Sequence, residues 1–235
     1  MLTDQLITFK YELGGCHITC LVTGGQWKQN TYIVTHIQSL NTIVIDPGDN
    51  AKTIIQQIED AKGRLTHILL THPHHDHVGA VAELSAYFDL ACELHQQDVR
   101  LLMQASNYAL TFANKSISPI TRIQAFLDLC LDHEIPSIRS FHTPGHTKGG
   151  VCYIFDGFIF TGDTLLNKYI GRTDLPGGSF TDLHHSVTLL LAELADDYII
   201  FPGHGKSWTS GEAKKWWNER HDNPATHTSF LDTIN

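Results

Sequence analysis

Residues His72-Pro73-His74-His75-Asp76-His77 place four imidazoles and one carboxylate within six positions, directly after the apolar run Ile68-Leu69-Leu70. Neutral imidazole and ionised carboxylate are the side chains that suit a divalent first-row metal. Packed together without a cation they would be crowded, poorly solvated polar groups, which is costly. In extended chain leaving a strand, residues two apart point the same way, so His72 and His74 can grip one metal from one side while His75 points elsewhere. From Asp76 onward the pattern turns helical, with Val78, Val81, Ala82 and Leu84 near i, i+3, i+4 spacing. Asp76 then occupies the expected N-cap and His77 the first helical turn. Capping alone would account for Asp76 as well as a ligand role does, were it not for the histidines around it.

Three later segments repeat the arrangement of an apolar strand that breaks at Gly or Pro and delivers one metal-competent side chain. Ile138 to Phe141 leads into Thr143-Pro144-Gly145-His146-Thr147, Phe158-Ile159-Phe160 into Thr161-Gly162-Asp163, and Tyr198 to Phe201 into Pro202-Gly203-His204-Gly205. Any one of these, taken singly, reads more readily as a plain loop than as a ligand site. Together with the first cluster they offer seven ligands at four strand ends, the place where active-site groups collect in layered α/β proteins.

The elements that must position these residues read as strands near 17–22, 30–35 and 41–46, a helix at 51–62, a strand at 66–71, a helix at 77–88 and a short strand near 91–95. Helical spacing then predicts an insertion over about 96–132, one helix at 96–113 and another at 120–132, with Tyr108 or Phe112 available as a lid over the metals. A second strand-rich half begins near 138 and includes a helix near 181–196, a strand at 198–201 and a last helix near 211–220. Two β-rich halves with outer helices fit an αββα sandwich, and 235 residues with 42% hydrophobic content suit one domain spanning 1–235.

These motifs resemble the metallo-β-lactamase-fold hydrolase superfamily: His72-x-His74-x-Asp76-His77, His146, Asp163 and His204 match its motifs, and Asp46 in Ile45-Asp46-Pro47-Gly48 belongs to the first of them. The match runs from about residue 17 to the end. The stretch Gly162-Asp163-Thr164 followed by Ile170-Gly171-Arg172-Thr173-Asp174-Leu175-Pro176-Gly177-Gly178-Ser179, with Pro202-Gly203-His204-Gly205, is most similar to the glyoxalase II-like (hydroxyacylglutathione hydrolase-like) branch. The resemblance implies an α/β fold, a four-layer αββα sandwich with mixed sheets. It also implies two divalent metal ions (zinc, with iron or manganese as alternatives), His72, His74 and His146 on one, Asp76, His77 and His204 on the other, and Asp163 bridging.

Two divalent cations, two aspartates and one bridging hydroxide leave a net +1 on such a cluster if all five histidines are neutral, which favours an oxyanion and a departing anion. Metal coordination can lower a water's pKa from about 15.7 to about 7, making hydroxide available at neutral pH. The expected chemistry is attack of that hydroxide on a thioester such as S-lactoylglutathione, with Asp76 as the catalytic residue that orients it or takes its proton. A persulfide dioxygenase with mononuclear iron, using only His72, His146 and Asp163-type ligands, is the alternative within the fold, as is a lactonase or other ester hydrolase. Asp46 is expected to support the site from beneath, and Arg172 with Asp174 to order the loop after Asp163 through a partly buried ion pair. Longer glyoxalase II enzymes add a C-terminal helical domain with basic residues for glutathione. Residues 205–235 offer only Lys206, Lys214, Lys215 and Arg220, which read as a solvated helix face.

A net charge of −9 argues against a nucleic-acid surface, which normally needs a clustered basic face. No segment approaches the roughly 18 apolar residues of a membrane span, and no basic leader precedes Leu6-Ile7-Thr8-Phe9, so a cytoplasmic protein acting on a small molecule is expected. Cysteines 16, 20, 92, 130 and 152 are odd in number and sit in apolar stretches, as buried thiols do.

Overall fold

Side-chain alternation along the strands divides the apolar residues of the first half between two faces, and both faces are covered. The computed structural model describes residues 6–131 and 137–219. Its first sheet contains β1 (Thr8–Leu13), β2 (Cys16–Thr23), β3 (Gln29–His36), β4 (Asn41–Ile45), β5 (Arg64–Leu69), β6 (Cys92–His95) and β7 (Ile123–Phe126), adjacent in that order. Pairing is antiparallel from β1 to β4 and parallel from β4 to β7. The parallel connections carry α1 (Ala51–Asp60), the single turn α2 (His75–Val78) with α3 (Val81–Phe88), and α4 (Val99–Leu102) with α5 (Ala105–Ala113).

The second half supplies β8 (Cys130–Leu131), β9 (Ile138–His142), β10 (Val151–Ile154) and β11 (Phe158–Gly162). A small hairpin follows, β12 (Leu165–Leu166) with β13 (Tyr169–Ile170), then α6 (Phe180–Glu193), β14 (Ile199–Pro202), β15 (Trp208–Thr209) and α7 (Ser210–Glu219). The second sheet has the order β15-β14-β11-β10-β9-β8. Because β9 and β11 both run antiparallel to β10, and β14 is parallel to β11, strands β9, β11 and β14 all end at the same edge.

Three buried clusters make the layers. Val44 and Ile68 on one face of the first sheet pack with Ile54 and Ile58 of α1, Leu84 of α3 and Ala109 of α5. Ile43, Ile45 and Leu69 on its other face meet Tyr153, Phe160 and Phe201 of the second sheet. The far face of that sheet, with Cys152, Ile159 and Ile200, is covered by Leu183, Val187 and Leu190 of α6 and Ala213 of α7. The result is the expected four-layer αββα sandwich with mixed sheets. The sheets are also tied by hydrogen bonds, the Tyr153 hydroxyl donating to the Leu70 carbonyl at 2.8 Å and the Val151 amide to the Thr71 carbonyl at 2.9 Å.

The insertion expected to be helical over 96–132 is helical only as far as Ala113. Residues 120–132 were expected to form a helix, but β7 and β8 occupy that stretch, β7 extending the first sheet beside β6 and β8 pairing with β9. Ile123, Phe126, Leu127 and Leu131 satisfy a helical period, yet so short a helix is marginal alone, whereas the edge of β6 offers backbone partners at once. The helix expected at 77–88 is interrupted at Gly79-Ala80, where a side chain on Gly79 would stand 2.3 Å from the Gly48 carbonyl. Cys130 is exposed, unlike the other four cysteines. Burial pushes the Cys16 thiol up to about 11 and Cys20 to about 12, so this pair packs in the core as protonated thiols. Among the described residues no helix is long and apolar enough to cross a membrane.

Candidate metal centre

The loops after β5, β9, β11 and β14 meet at one end of the sandwich and bring all seven expected ligands together. Nitrogen atoms of His72, His74 and His146 lie within 4.8 Å of one another, and so do ligand atoms of Asp76, His77 and His204. Within the first group the His146 Nε2 stands 2.9 Å from His74 Nδ1 and 3.2 Å from His72 Nε2. Within the second the His204 Nε2 stands 3.3 Å from His77 Nε2 and 3.2 Å from the Asp76 carboxylate. Asp163 lies between the groups, one carboxylate oxygen 3.6 Å from His77 Nε2 and the other 3.6 Å from His146 Nε2 and 3.7 Å from His204 Nε2.

Outer hydrogen bonds fix which nitrogen of each ring faces inward. His146 Nδ1 donates to the Arg172 carbonyl at 2.7 Å and His204 Nδ1 to the Trp27 carbonyl at 3.0 Å. His77 Nδ1 donates to the Asp46 carboxylate at 3.0 Å. The Thr71 hydroxyl donates to Asp46 at 2.6 Å and therefore accepts from His72 Nδ1 at 3.1 Å. In their neutral forms these four rings aim Nε2 lone pairs at one another across about 3 Å, an arrangement that repels unless something positive lies among them. Among the described residues the buried Oδ1 of Asp163 has no hydrogen-bond partner. Both observations fit divalent cations in the two groups, and imidazole with carboxylate is the donor set that zinc, iron and manganese share.

The titration directions agree. Burial, reinforced by neighbouring imidazoles, holds His72 and His74 well below the usual histidine range. Burial also lowers His146, against the pull of Asp163. For His77 burial opposes protonation, but the carboxylates of Asp76 and Asp163 overcome it and raise the ring to about 9, and Asp163 with Asp76 likewise overcomes burial to raise His204. Burial would raise the Asp76 carboxyl, yet His77 and His204 hold it well below the carboxylate range. With no cation present, an inward proton on His77 supplies positive charge beside these carboxylates, and the same carboxylates favour the charged form of His204.

Local backbone explains why the chain can deliver these groups. Gly162 turns at φ 47, a conformation that costs other residues free energy, and a side chain on Gly203 would meet Asp163 Oδ1 at 2.3 Å and the His77 ring at 2.7 Å. Asp46 itself has φ 50. Its carbonyl accepts from Gln29 Nε2 at 3.0 Å and Thr31 Oγ1 at 2.9 Å, and its carboxylate from the Thr71 amide at 2.7 Å, bonds that together over-determine the strained backbone. Asp46 thus supports His77 from beneath, as expected. His75 faces away from both groups, edge-on to Trp27 at 5.4 Å between ring centroids.

Two expectations are corrected. His74 and not Asp76 is the N-cap of α2, since the helix begins two residues earlier and Asp76 turns inward to His204. The Arg172–Asp174 pair is bidentate at 2.7 Å but exposed, at 46% and 67%, so it is the Arg172 carbonyl that orients His146. In keeping with a solvated helix face, Lys214 is engaged by Asp196 at 2.6 Å and Lys215 faces Glu219 at 3.9 Å, and neither reaches the cavity over the metal groups; Arg220 lies outside the described residues. Sequence reasoning missed Thr71, the Trp27 carbonyl and Asn30, whose Nδ2 donates to the carbonyls of Pro202 at 3.0 Å and Gly205 at 2.9 Å and so holds the His204 loop. A backbone acceptor leaves no side-chain signature, although Thr71 adjoins the histidine cluster. Above the site opens a cavity of about 560 Å³ whose walls include Tyr108 and Phe112, stacked at 5.8 Å.

Residues 24–204 match the model of the metallo-beta-lactamase superfamily. Hydroxyacylglutathione hydrolase GloC of Haemophilus influenzae is 36% identical over 186 residues, covering 74% of this chain and 85% of that protein. The crystal structure of BLEG-1 B3 metallo-beta-lactamase superposes with a TM-score of 0.76 at 29% identity, over 84% of this chain and 96% of that one. TTHA1623 in a di-iron-bound form gives 0.70 at 28% identity, over 89% and 98%. The chain belongs to the metallo-beta-lactamase superfamily.

Proposed function

We propose that this protein is a binuclear metal-dependent hydrolase that cleaves a small acyl thioester. His72, His74 and His146 would hold one ion, Asp76, His77 and His204 the other, with Asp163 available to both. Two divalent ions bound there would supply an activated water at neutral pH and polarise the carbonyl it attacks. The protein's own part is positional. Asp46, Thr71 and the carbonyls of Trp27 and Arg172 fix the tautomers, and the Asp76 carboxylate, kept ionised beside His204, orients the water or takes its proton.

The observation that carries this reading is the second group: Asp76, His77 and His204 converge as closely as the first three histidines do, with Asp163 between. A mononuclear iron enzyme using only His72, His146 and Asp163-type ligands has no use for it. Similarity to GloC supports a thioester among the carbonyl substrates such a site can open. The test is hydrolysis of two thioesters, S-lactoylglutathione and an S-acyl-N-acetylcysteamine, and of a matched lactone and ester by metal-loaded protein, before and after chelation. Chelator-sensitive thioester cleavage exceeding the oxygen esters is expected. Oxygen uptake with a persulfide and no hydrolysis would overturn the proposal.

A further inference from the structure

We infer that the group recognised in the cavity over the metal site is an uncharged, apolar acyl chain, an inference that rests on the thioesterase reading above and names its substrate class. Leu101, Tyr108 and Phe112, seven and four residues apart, present an apolar stripe to the cavity from α4 and α5. Leu166, Ile170 and Phe180 line it from the second half of the chain. Phe112 is 53% exposed and Phe180 38%. Exposed positions on α5 and at the start of α6 are filled at no structural cost by polar residues, so large apolar groups gathered at a cavity mouth mark a surface meant to be covered.

The charges agree. Among the described residues Arg172 is the one Lys or Arg side chain on the cavity wall, and Asp174, also on the wall, already holds it through two hydrogen bonds. An incoming carboxylate would have to share Arg172 with Asp174, whose own charge would remain at the rim. Glutathione carries two carboxylates, and among the described residues this one guanidinium, already shared with Asp174, is all the Lys or Arg the wall offers them. An alkyl or aryl chain meets no such obstacle.

The experiment uses the metal-loaded full chain and two series built on N-acetylcysteamine, an uncharged thiol: S-acyl thioesters from acetyl to octanoyl for turnover, and non-cleavable S-alkyl thioethers of matching length for calorimetric binding. Full burial of each added methylene is worth about a four-fold gain, so kcat/KM and thioether affinity should both climb at up to about four-fold per carbon until the cavity is filled. Phe112→Asn should flatten both slopes, while Leu110→Asn, on the same helix but off the cavity wall, should leave them unchanged. Turnover and affinity that are both flat with chain length would overturn the inference and leave the thioesterase reading standing. Affinity that climbs without any thioester turnover would keep the apolar site and sink the thioesterase reading.

Discussion

Replacing Asp46 by Asn tests whether metal binding depends on a fixed proton on His77. The carboxylate accepts three hydrogen bonds, from the Thr71 amide, the Thr71 hydroxyl and His77 Nδ1, and the residue is 2% exposed. Asn keeps one acceptor. If its oxygen stays with the Thr71 amide, its NH2 faces His77 Nδ1, donor against donor. If it flips, the NH2 faces the Thr71 amide instead. Either way a charge-assisted bond is lost, worth about 1.5–3 kcal/mol, and the hold on the Nδ1 proton of His77 is weakened or gone, which favours an inward proton where the metal needs a lone pair. At about 1.4 kcal/mol per decade that corresponds to roughly a 10- to 100-fold loss of affinity at the site built from Asp76, His77 and His204, the range found for other buried partners of metal-bound histidines. Competition titration against a chromophoric chelator would measure it, with circular dichroism to show that the variant is folded. A folded variant with unchanged affinity at both sites would refute the reasoning.

Other consequences follow from the same geometry. Gly203→Ala should reduce metal binding at least tenfold while leaving α6 and the core intact, because its methyl would collide with Asp163 and His77; metal content after dialysis reads this directly. Tyr153→Phe removes the only hydroxyl donor to the Leu70 carbonyl among the described residues, and should lower stability to urea by about 1–2 kcal/mol without changing metal content. Since the carboxylates raise the metal-free His77 to about 9 and also raise His204, loading at pH 7 must expel protons. Affinity should therefore increase with pH up to about 9, and calorimetry in buffers of different ionisation enthalpy should register proton release; a buffer-independent heat would contradict this.

The seven converging side chains and the layer order were legible in the sequence because each signal is local: a strand period, a breaking Gly or Pro, a ligand one or two residues beyond. What was not legible is what depends on neighbours in space. The period of Ile123, Phe126 and Leu131 suits a helix, and only the open edge of β6 makes it a strand. The acceptors that set the imidazole tautomers of His146 and His204 are backbone carbonyls of Arg172 and Trp27, to which any residue type could contribute. The apolar cavity wall was half visible, since Tyr108 and Phe112 stood out on their helix, whereas Phe180 and Ile170 join them only once the two halves pack.

The most direct test of the binuclear account is metal stoichiometry, by elemental analysis of folded protein loaded with zinc, iron or manganese and freed of loosely held ions. Two ions per chain are expected, falling to one or fewer in Asp163→Ala, whose carboxylate the structure sets between the two groups. One ion per chain, unchanged by that substitution, would contradict it.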